Sequence, residues 1–300
     1  MRISGRLLFV ALAILLAAGA SWAQVNAVDL AVRVFDPSDA AIVGAAVTVK
    51  NNATGAARTA ASNDAGTALF VGLPPGRYQI SVEAKGFSKL VNPEITLTVG
   101  QAAEWHAHMK IGEGPGTVIE VTEATELIET RRTGTAETVD SRRISNLPIN
   151  GRNYINFTLT TSLAQRDSAP SIGAAPTSGI NFGGQRARSN QVSVDGADAT
   201  DNSVNGVRST VSQEAVQEFQ LIVSNYMPEF GRATGGVINI VTRGGSNDVH
   251  GNVFGFLRHK DIQARNPFSV AIDPATNQPV PVKQSYTRVQ AGATIGGPVV

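Results

Sequence analysis

From Val28 to Val99 the chain keeps returning to a period of two. Val28, Leu30, Val32 and Val34 are separated by Asp29, Ala31 and Arg33, with Phe35 following. Val47 and Val49 flank Thr48 and precede Lys50; Tyr78, Ile80 and Val82 interleave with Gln79, Ser81 and Glu83; Ile95, Leu97 and Val99 interleave with Thr96 and Thr98. Such spacing turns one side of each strand into a core and the other into water. Between these runs lie Asp36-Pro37, Asn51-Asn52, Asn63-Asp64-Ala65-Gly66 and Pro74-Pro75-Gly76, all with turn chemistry. Short strands at this spacing predict a small antiparallel β-sandwich over residues 24–111. The chain has no cysteine. Disulfides, thiolate metal sites and cysteine nucleophiles are therefore excluded, and sheet packing must supply the stability.

The 300 residues suffice for more than one domain, and a net charge of +1 gives no one-sided field to attract nucleic acid. Residues 1–23 read as a signal peptide. Arg2 and Arg6 form a basic start, Leu7 to Ala18 is unbroken and apolar, and Ser21-Trp22-Ala23 offers small residues where a signal peptidase reads. Cleavage is expected between Ala23 and Gln24, the alternative being an uncleaved anchor. No later run approaches the ~18 apolar residues of a spanning helix.

His106 and His108 make a His-x-His pair, which can hold zinc when a third ligand is near. Trp105, Ala107 and Met109 alternate with them, so the histidines fall on the polar face of a strand. Gly112-Glu113-Gly114-Pro115-Gly116 lacks the Gly-Lys-Ser/Thr ending of a phosphate loop and reads as a flexible linker, spanning 112–125. Within it, Val118-Ile119-Glu120-Val121-Thr122 is a short β-favouring segment.

Residues 126–245 read as a mixed α+β module. A short helix is expected over Ser141–Leu147, and then a turn at Pro148 and Gly151 returns Tyr154, Phe157 and Leu159 inward. Ala164–Asn190 is a long Gly/Ser/Ala/Pro-rich loop. Asn190–Asp195 reads as a strand and Asp195-Gly196 as a turn. Asp198, Asp201 and Asn202 lack the alternating oxygens and closing Glu of a calcium loop. Ser212 is expected to cap a helix ending near Phe219, followed by strands over Phe219–Val223 and Gly235–Thr242. Glu229-Phe230-Gly231-Arg232 is read as a charged turn between those strands. In residues 246–300, Ser285–Gly296 sets Val289, Ala291, Ala293 and Ile295 against Arg288, Gln290 and Thr294. Val249–Leu257 is a second strand, its pattern blurred by Phe254 and Phe256, and Asp261–Gln284 is a loop. An apolar face outward and a polar one inward suit a transmembrane barrel strand; a small soluble sheet fits the two strands equally.

AVRVFDPSDAAIVGAAVTVKN and SNDAGTALFVGLPPGRYQISVEAKGF resemble the carboxypeptidase regulatory-like family, a transthyretin-like sandwich without catalytic function. NLPINGRNY, NQVSVDGADATDN, AVQEFQLIVSNYMPEFGRATGGVINIVTRGGSNDVHGNVFGFLR and GATIGGPVV resemble the plug and early barrel of TonB-dependent outer-membrane receptors, Oar-like ones above all. This resemblance makes 126–245 a plug and 246–300 the start of a truncated barrel. Its plug motif falls on Asp195, Gly196, Glu218, Glu229, Phe230, Gly231, Arg232, Gly235, Gly236 and Asn239. In that context Val118, Ile119, Glu120, Val121 and Thr122 resemble a TonB box, the segment a periplasmic energising protein takes by β-strand addition. The resemblance implies an outer-membrane location with the N-terminal domain in the periplasm. The implied partners are a TonB-like protein, outer-membrane lipid and an unidentified extracellular ligand.

Uptake is the leading function. A surface or adhesive role on the same architecture is the alternative. A secreted hydrolase finds no support: there is no Gly-x-Ser-x-Gly elbow, and His106, His108, His250 and His259 are the only histidines. No catalytic, cofactor or metal residues are expected. Intact-mass measurement of the exported protein is expected to place Gln24 at the mature N-terminus; a mass retaining Met1 would refute cleavage.

Overall fold

Alternation in the first hundred residues becomes two packed sheets. The computed structural model describes residues 26–112, 118–120, 127–129, 134–147, 154–166, 180–186, 189–200, 211–226, 230–231, 233–283 and 285–298. Strand β1 (Val28–Phe35) buries Val28, Leu30, Val32 and Val34 completely. It pairs antiparallel with β4 (Thr67–Leu73) and parallel with β7 (Ala102–His108), and β9 (Ile128–Glu129) extends the sheet beyond β7. The facing sheet runs β3 (Ala57–Ala61), β2 (Ala46–Asn51), β5 (Gly76–Glu83), β6 (Lys89–Leu97), β8 (Val118–Glu120). Between them Leu30, Val47, Ile80, Leu97, Trp105 and Met109 form one apolar core. Trp105 is its largest fully buried side chain.

Two pairings depart from the antiparallel expectation: β1 lies parallel to β7, and β8 parallel to β6. Strand β6 also starts earlier than Ile95. It buries Leu90 and Asn92, exposes Pro93 and Glu94, and then buries Ile95 and Leu97. The phase slips at Pro93, which has no N–H to give, and the register with β5 shifts opposite it. A polar Asn and a proline thus concealed the first half of the strand.

In the second module, α1 (Ser141–Asn146) is capped by Asp140, whose Oδ1 accepts from the Arg143 N–H at 2.8 Å. A 3₁₀ helix, Tyr154–Thr160, buries Phe157 and Thr158. Strands β11 (Ala164–Arg166) and β12 (Ile180–Phe182) pair inside the stretch expected to be loop. The main sheet orders β10 (Ala136–Val139), β15 (Val216–Ile222), β16 (Val237–Thr242), β13 (Gln191–Val194), β14 (Ala197–Asp198). The helix expected from Ser212 to Phe219 is only a 3₁₀ turn, Gln213–Ala215, and β15 begins at Val216. Ser212 makes no side-chain cap; its hydroxyl donates to Glu214 Oε2 at 2.6 Å. Strand pairing with β10 and β16 overrides the cap signal.

Residues up to Gly244 form one compact unit, and Gly245–Val300 a second. In the second unit, β17 (His250–His259) and β20 (Thr287–Gly296) pair antiparallel over ten positions. Val253 and Leu257 lie opposite Ala293 and Val289 on one exposed face, shared with Ala291 and Ile295. Phe254, Phe256 and Gln290 belong to the other, where Phe254 covers Gly292; a Cβ there would lie 2.6 Å from the ring. The two phenylalanines that blurred the pattern thus sit on the face opposite the aliphatic one. Between these strands, β18 (Val270–Ile272) and β19 (Pro279–Pro281) form a small hairpin in the expected loop.

Gly235 and Gly236 lead into β16 where space is tight. A Cβ on Gly236 would sit 2.5 Å from the buried Phe182 ring, and one on Gly235 2.5 Å from Asn190 Oδ1. Gly236→Ala is expected to cost ~1–3 kcal/mol by overpacking. Gly244→Ala, with nothing within 4 Å of its Cβ, is expected to change little. Urea unfolding of both variants checks the contrast; equal stabilities would refute it.

Candidate functional site

Strand β15 is buried on both of its faces. Phe219 and Leu221 enter the second module's core, while Glu218 and Gln220, 4% and 3% exposed, point the other way. There they meet the β6–β7 turn of the sandwich. The Val99 N–H donates to Glu218 Oε2 at 2.7 Å, and Gln220 Nε2 donates to the Val99 carbonyl at 2.8 Å. Both polar groups of one buried backbone residue are thus taken by two side chains on alternate positions of one strand. Gly100 follows at φ +65, and its missing Cβ leaves room for Gln220, which would lie 2.6 Å away. Gln217 Nε2 adds a bond to the Pro75 carbonyl at 3.1 Å. Asn239 completes the seam: its Nδ2 donates to Asn26 Oδ1 and its Oδ1 accepts from Ser193 Oγ, both at 2.8 Å.

Burial pushes the Glu218 carboxyl up to about 7 from the usual 4.5, with Asp140 adding to the rise; the Val99 N–H and Gln217 oppose it.

Asp195 and Gly196 join β13 to β14 with φ +49 and +81, the signature of a tight hairpin turn. The Asp195 carboxylate also clamps the end of β16, accepting from the Thr242 N–H at 2.8 Å and its hydroxyl at 2.6 Å. Gly235 and Gly236 sit against Asn190, which donates to the Ile180 carbonyl and accepts from the Gly236 N–H. Phe230 is half-buried and Gly231 exposed beside it. The structure thus gathers Asp195, Gly196, Glu218, Gly235, Gly236 and Asn239 on neighbouring strands of one sheet or the turns that bound them. Glu229, Arg232, Ala23 and Gln24 lie outside the described residues.

Val118, Ile119 and Glu120 lie elsewhere, on the sandwich. They form β8, in parallel register with Lys89, Leu90 and Val91. The segment falls within the stretch whose sequence reads as a flexible linker, and the backbone of Val118–Glu120 is an edge strand of a five-stranded sheet. Val121 and Thr122 lie outside the described residues. Sequence reasoning missed Val99, Gly100, Gln217 and Gln220. The signal was Gln-Glu-x-Gln inside an otherwise apolar strand, polar residues that burial obliges to find partners.

His106 Nε2 lies 2.8 Å from Glu104 Oε1, and His108 Nδ1 3.3 Å from Asp39 Oδ1, with Phe35 packed against both rings. Asp198 Oδ1 accepts from the Thr200 N–H. Among the described residues, no three His, Cys, Asp or Glu side chains come together to hold a metal.

Residues 29–110 match the carboxypeptidase regulatory-like domain, and residues 241–300 the outer membrane beta barrel domain. This is an outer-membrane protein. It is 30% identical over 241 residues to the TonB-dependent transporter Oar of Myxococcus xanthus, a match covering 76% of this chain and 21% of that one. The chain therefore spans about a fifth of the length of the curated relative it matches. A crystal structure of the siderophore receptor PirA from Acinetobacter baumannii is 17% identical with a TM-score of 0.37, over 55% of this chain and 22% of that one. Catechol 1,2-dioxygenase from Pseudomonas arvilla C-1 is 11% identical with a TM-score of 0.26, over 32% of this chain and 56% of that one. The barrel match gives the aliphatic face of β17 and β20 its environment: Val253, Leu257, Val289 and Ile295, 62–88% exposed to water in the isolated hairpin, suit hydrocarbon.

The Glu218 seam of this outer-membrane protein is expected to respond to pH. Between about 4.5 and about 7 the folded chain keeps a proton that the unfolded chain has released, so stability falls as pH rises through that window. Glu218→Gln keeps a carbonyl acceptor for Val99 and removes the charge. Unfolding in urea at about pH 5 and about pH 8 is expected to show wild type losing ~1–3 kcal/mol more than the variant. Parallel losses would refute the assignment.

Proposed function

We propose that this chain is the N-terminal part of a TonB-dependent outer-membrane receptor that binds and imports a ligand with energy delivered from the periplasm. The observation that carries the reading is the likeness to a TonB-dependent transporter over three-quarters of the chain. The order of the two matches supports it, the carboxypeptidase regulatory-like one over 29–110 preceding the outer membrane beta barrel one over 241–300. In this reading a sandwich over 24–111 is followed by a connector over 112–125 with the box-like segment, a plug over 126–245 and the first barrel strands after 246. The five-stranded sheet built on β15 and β16 has the buried, cross-tied character a plug needs to stay folded inside a water-filled barrel.

In this reading Val118–Thr122 is the handle. A periplasmic partner adds a strand to it, and backbone hydrogen bonds rather than side-chain identity supply the grip. The sheet carrying Asp195, Glu218 and Asn239 is the part that rearranges when force arrives. Nothing in the route needs covalent chemistry.

Deleting Val118–Thr122 from the full-length protein is expected to abolish energised uptake while leaving ligand binding to whole cells intact. Uptake that survives the deletion would sink the assignment of the handle.

A further inference from the structure

Each module keeps its own apolar core. The buried residues of the sandwich core all lie between Val28 and Met109, and those of the second core between Val139 and Ile240. Val99, Val237 and Val241 are buried yet belong to neither. Val237 and Val241 alternate with Ile238 and Ile240, which enter the second core, so they share the other face of β16 with Asn239. On the sandwich side stands the tight turn Thr98–Gln101, closed by the Gln101 N–H donating to the Thr98 carbonyl at 3.1 Å. Its central residue, Val99, is the one that Glu218 and Gln220 grip. The seam is thus a layer of its own between two complete cores.

We propose that this seam is a latch: ionisation of Glu218 undocks the sandwich from the second module while both modules stay folded. Docked, the carboxyl is 4% exposed and takes one N–H from the turn. Undocked, it stands on the open face of a sheet and regains water. Its surroundings give the charge no counter-ion. Among the described residues, the charge acting on Glu218 is that of Asp140, which has the same sign. The turn presents Val99, Gly100 and Gln101; β16 sets Val241 opposite Glu218 and Asn239 opposite Gln220; β10 sets Thr138 opposite Gln220; and Gln217 precedes it on β15. None of these titrates.

The sign follows from where the proton is held. The docked carboxyl keeps its proton up to about 7, and a solvated one releases it near 4.5. Docking is therefore strongest below about 4.5, weakens as pH rises through that window and is weakest above about 7. Opening exchanges the polar bonds of the seam for bonds to water. Because the two cores share no residue, it is a local event that leaves each of them intact.

The chain contains no cysteine, so two introduced thiols carry nitroxide labels without competition from it. Lys85 of the sandwich and Arg142 of α1 are both exposed. In the full-length protein carrying K85C/R142C, pulsed electron resonance in detergent is expected to show one narrow label-to-label distance at about pH 5 and an added broad population at about pH 8. The ratio of docked to undocked protein is expected to fall roughly 70-fold between the two. E218Q in the same background is expected to stay narrow at both. Hydrogen exchange in β1 and β13 at about pH 8 is expected to be the same with and without E218Q, as intact modules require.

Wild type and E218Q with the same distances at about pH 8 would overturn the latch. So would faster exchange in β1 or β13 accompanying the wild-type change, since the separation would then be unfolding. Should E218Q itself separate the modules at about pH 5, Asp140→Asn decides. That change keeps a capping oxygen for α1 and removes the like charge. Its undocked share at about pH 8 is expected to lie below that of wild type, and an equal share would overturn the latch.

Discussion

Val99 shows the constraint on which the assembly depends. It sits 1% exposed in a turn, where neither of its backbone groups has a strand partner, and a buried peptide group left unpaired is costly. Glu218 and Gln220 meet that requirement from across the seam. Two neighbouring features follow from it. Residue 100 must be glycine to leave room for Gln220, and β15 must carry polar side chains on a face that is nonetheless buried. The sandwich and the second module are therefore joined by specific polar contacts. Such a seam has one geometry, and its failure leaves several polar groups stranded at once.

That choice explains why the buried carboxylate tolerates its position. Glu218 gives up solvation and receives one backbone N–H and the nearby Gln217 in return, while Asp140 repels it. The balance leaves its proton affinity close to neutrality rather than at the ordinary acid value. Hydrophobic packing on the opposite side of the same strand, through Phe219 and Leu221, anchors the strand that carries it.

Much of the fold was legible because period two is unambiguous when one face is fully buried, as Val28 to Val34 and Tyr78 to Val82 are. Legibility failed where partners outside the local sequence decide the outcome. Ser212 and Glu214 looked like the start of a helix, yet β10 and β16 flank the next residues and draw them into a sheet. Leu90 and Asn92 belong to a strand whose phase is reset at Pro93. The site was legible at Asp195-Gly196 and Gly235-Gly236, where turn chemistry and close approach leave a local mark. The Val99 seam was invisible because its partners are 119 and 121 residues apart, and no periodicity spans that distance.

The pairings that follow β7 fix where the chain must return. Strand β7 begins directly after the Val99 turn, so the chain leaves it at His108, the end far from Val99. By Ile128 it is back beside Glu104, near the end where β15 docks. Between these two points β8 lies on the β6 edge of the facing sheet. The pairings thus fix both ends of the stretch from His108 to Ile128, and its residues must span that interval whatever their identities.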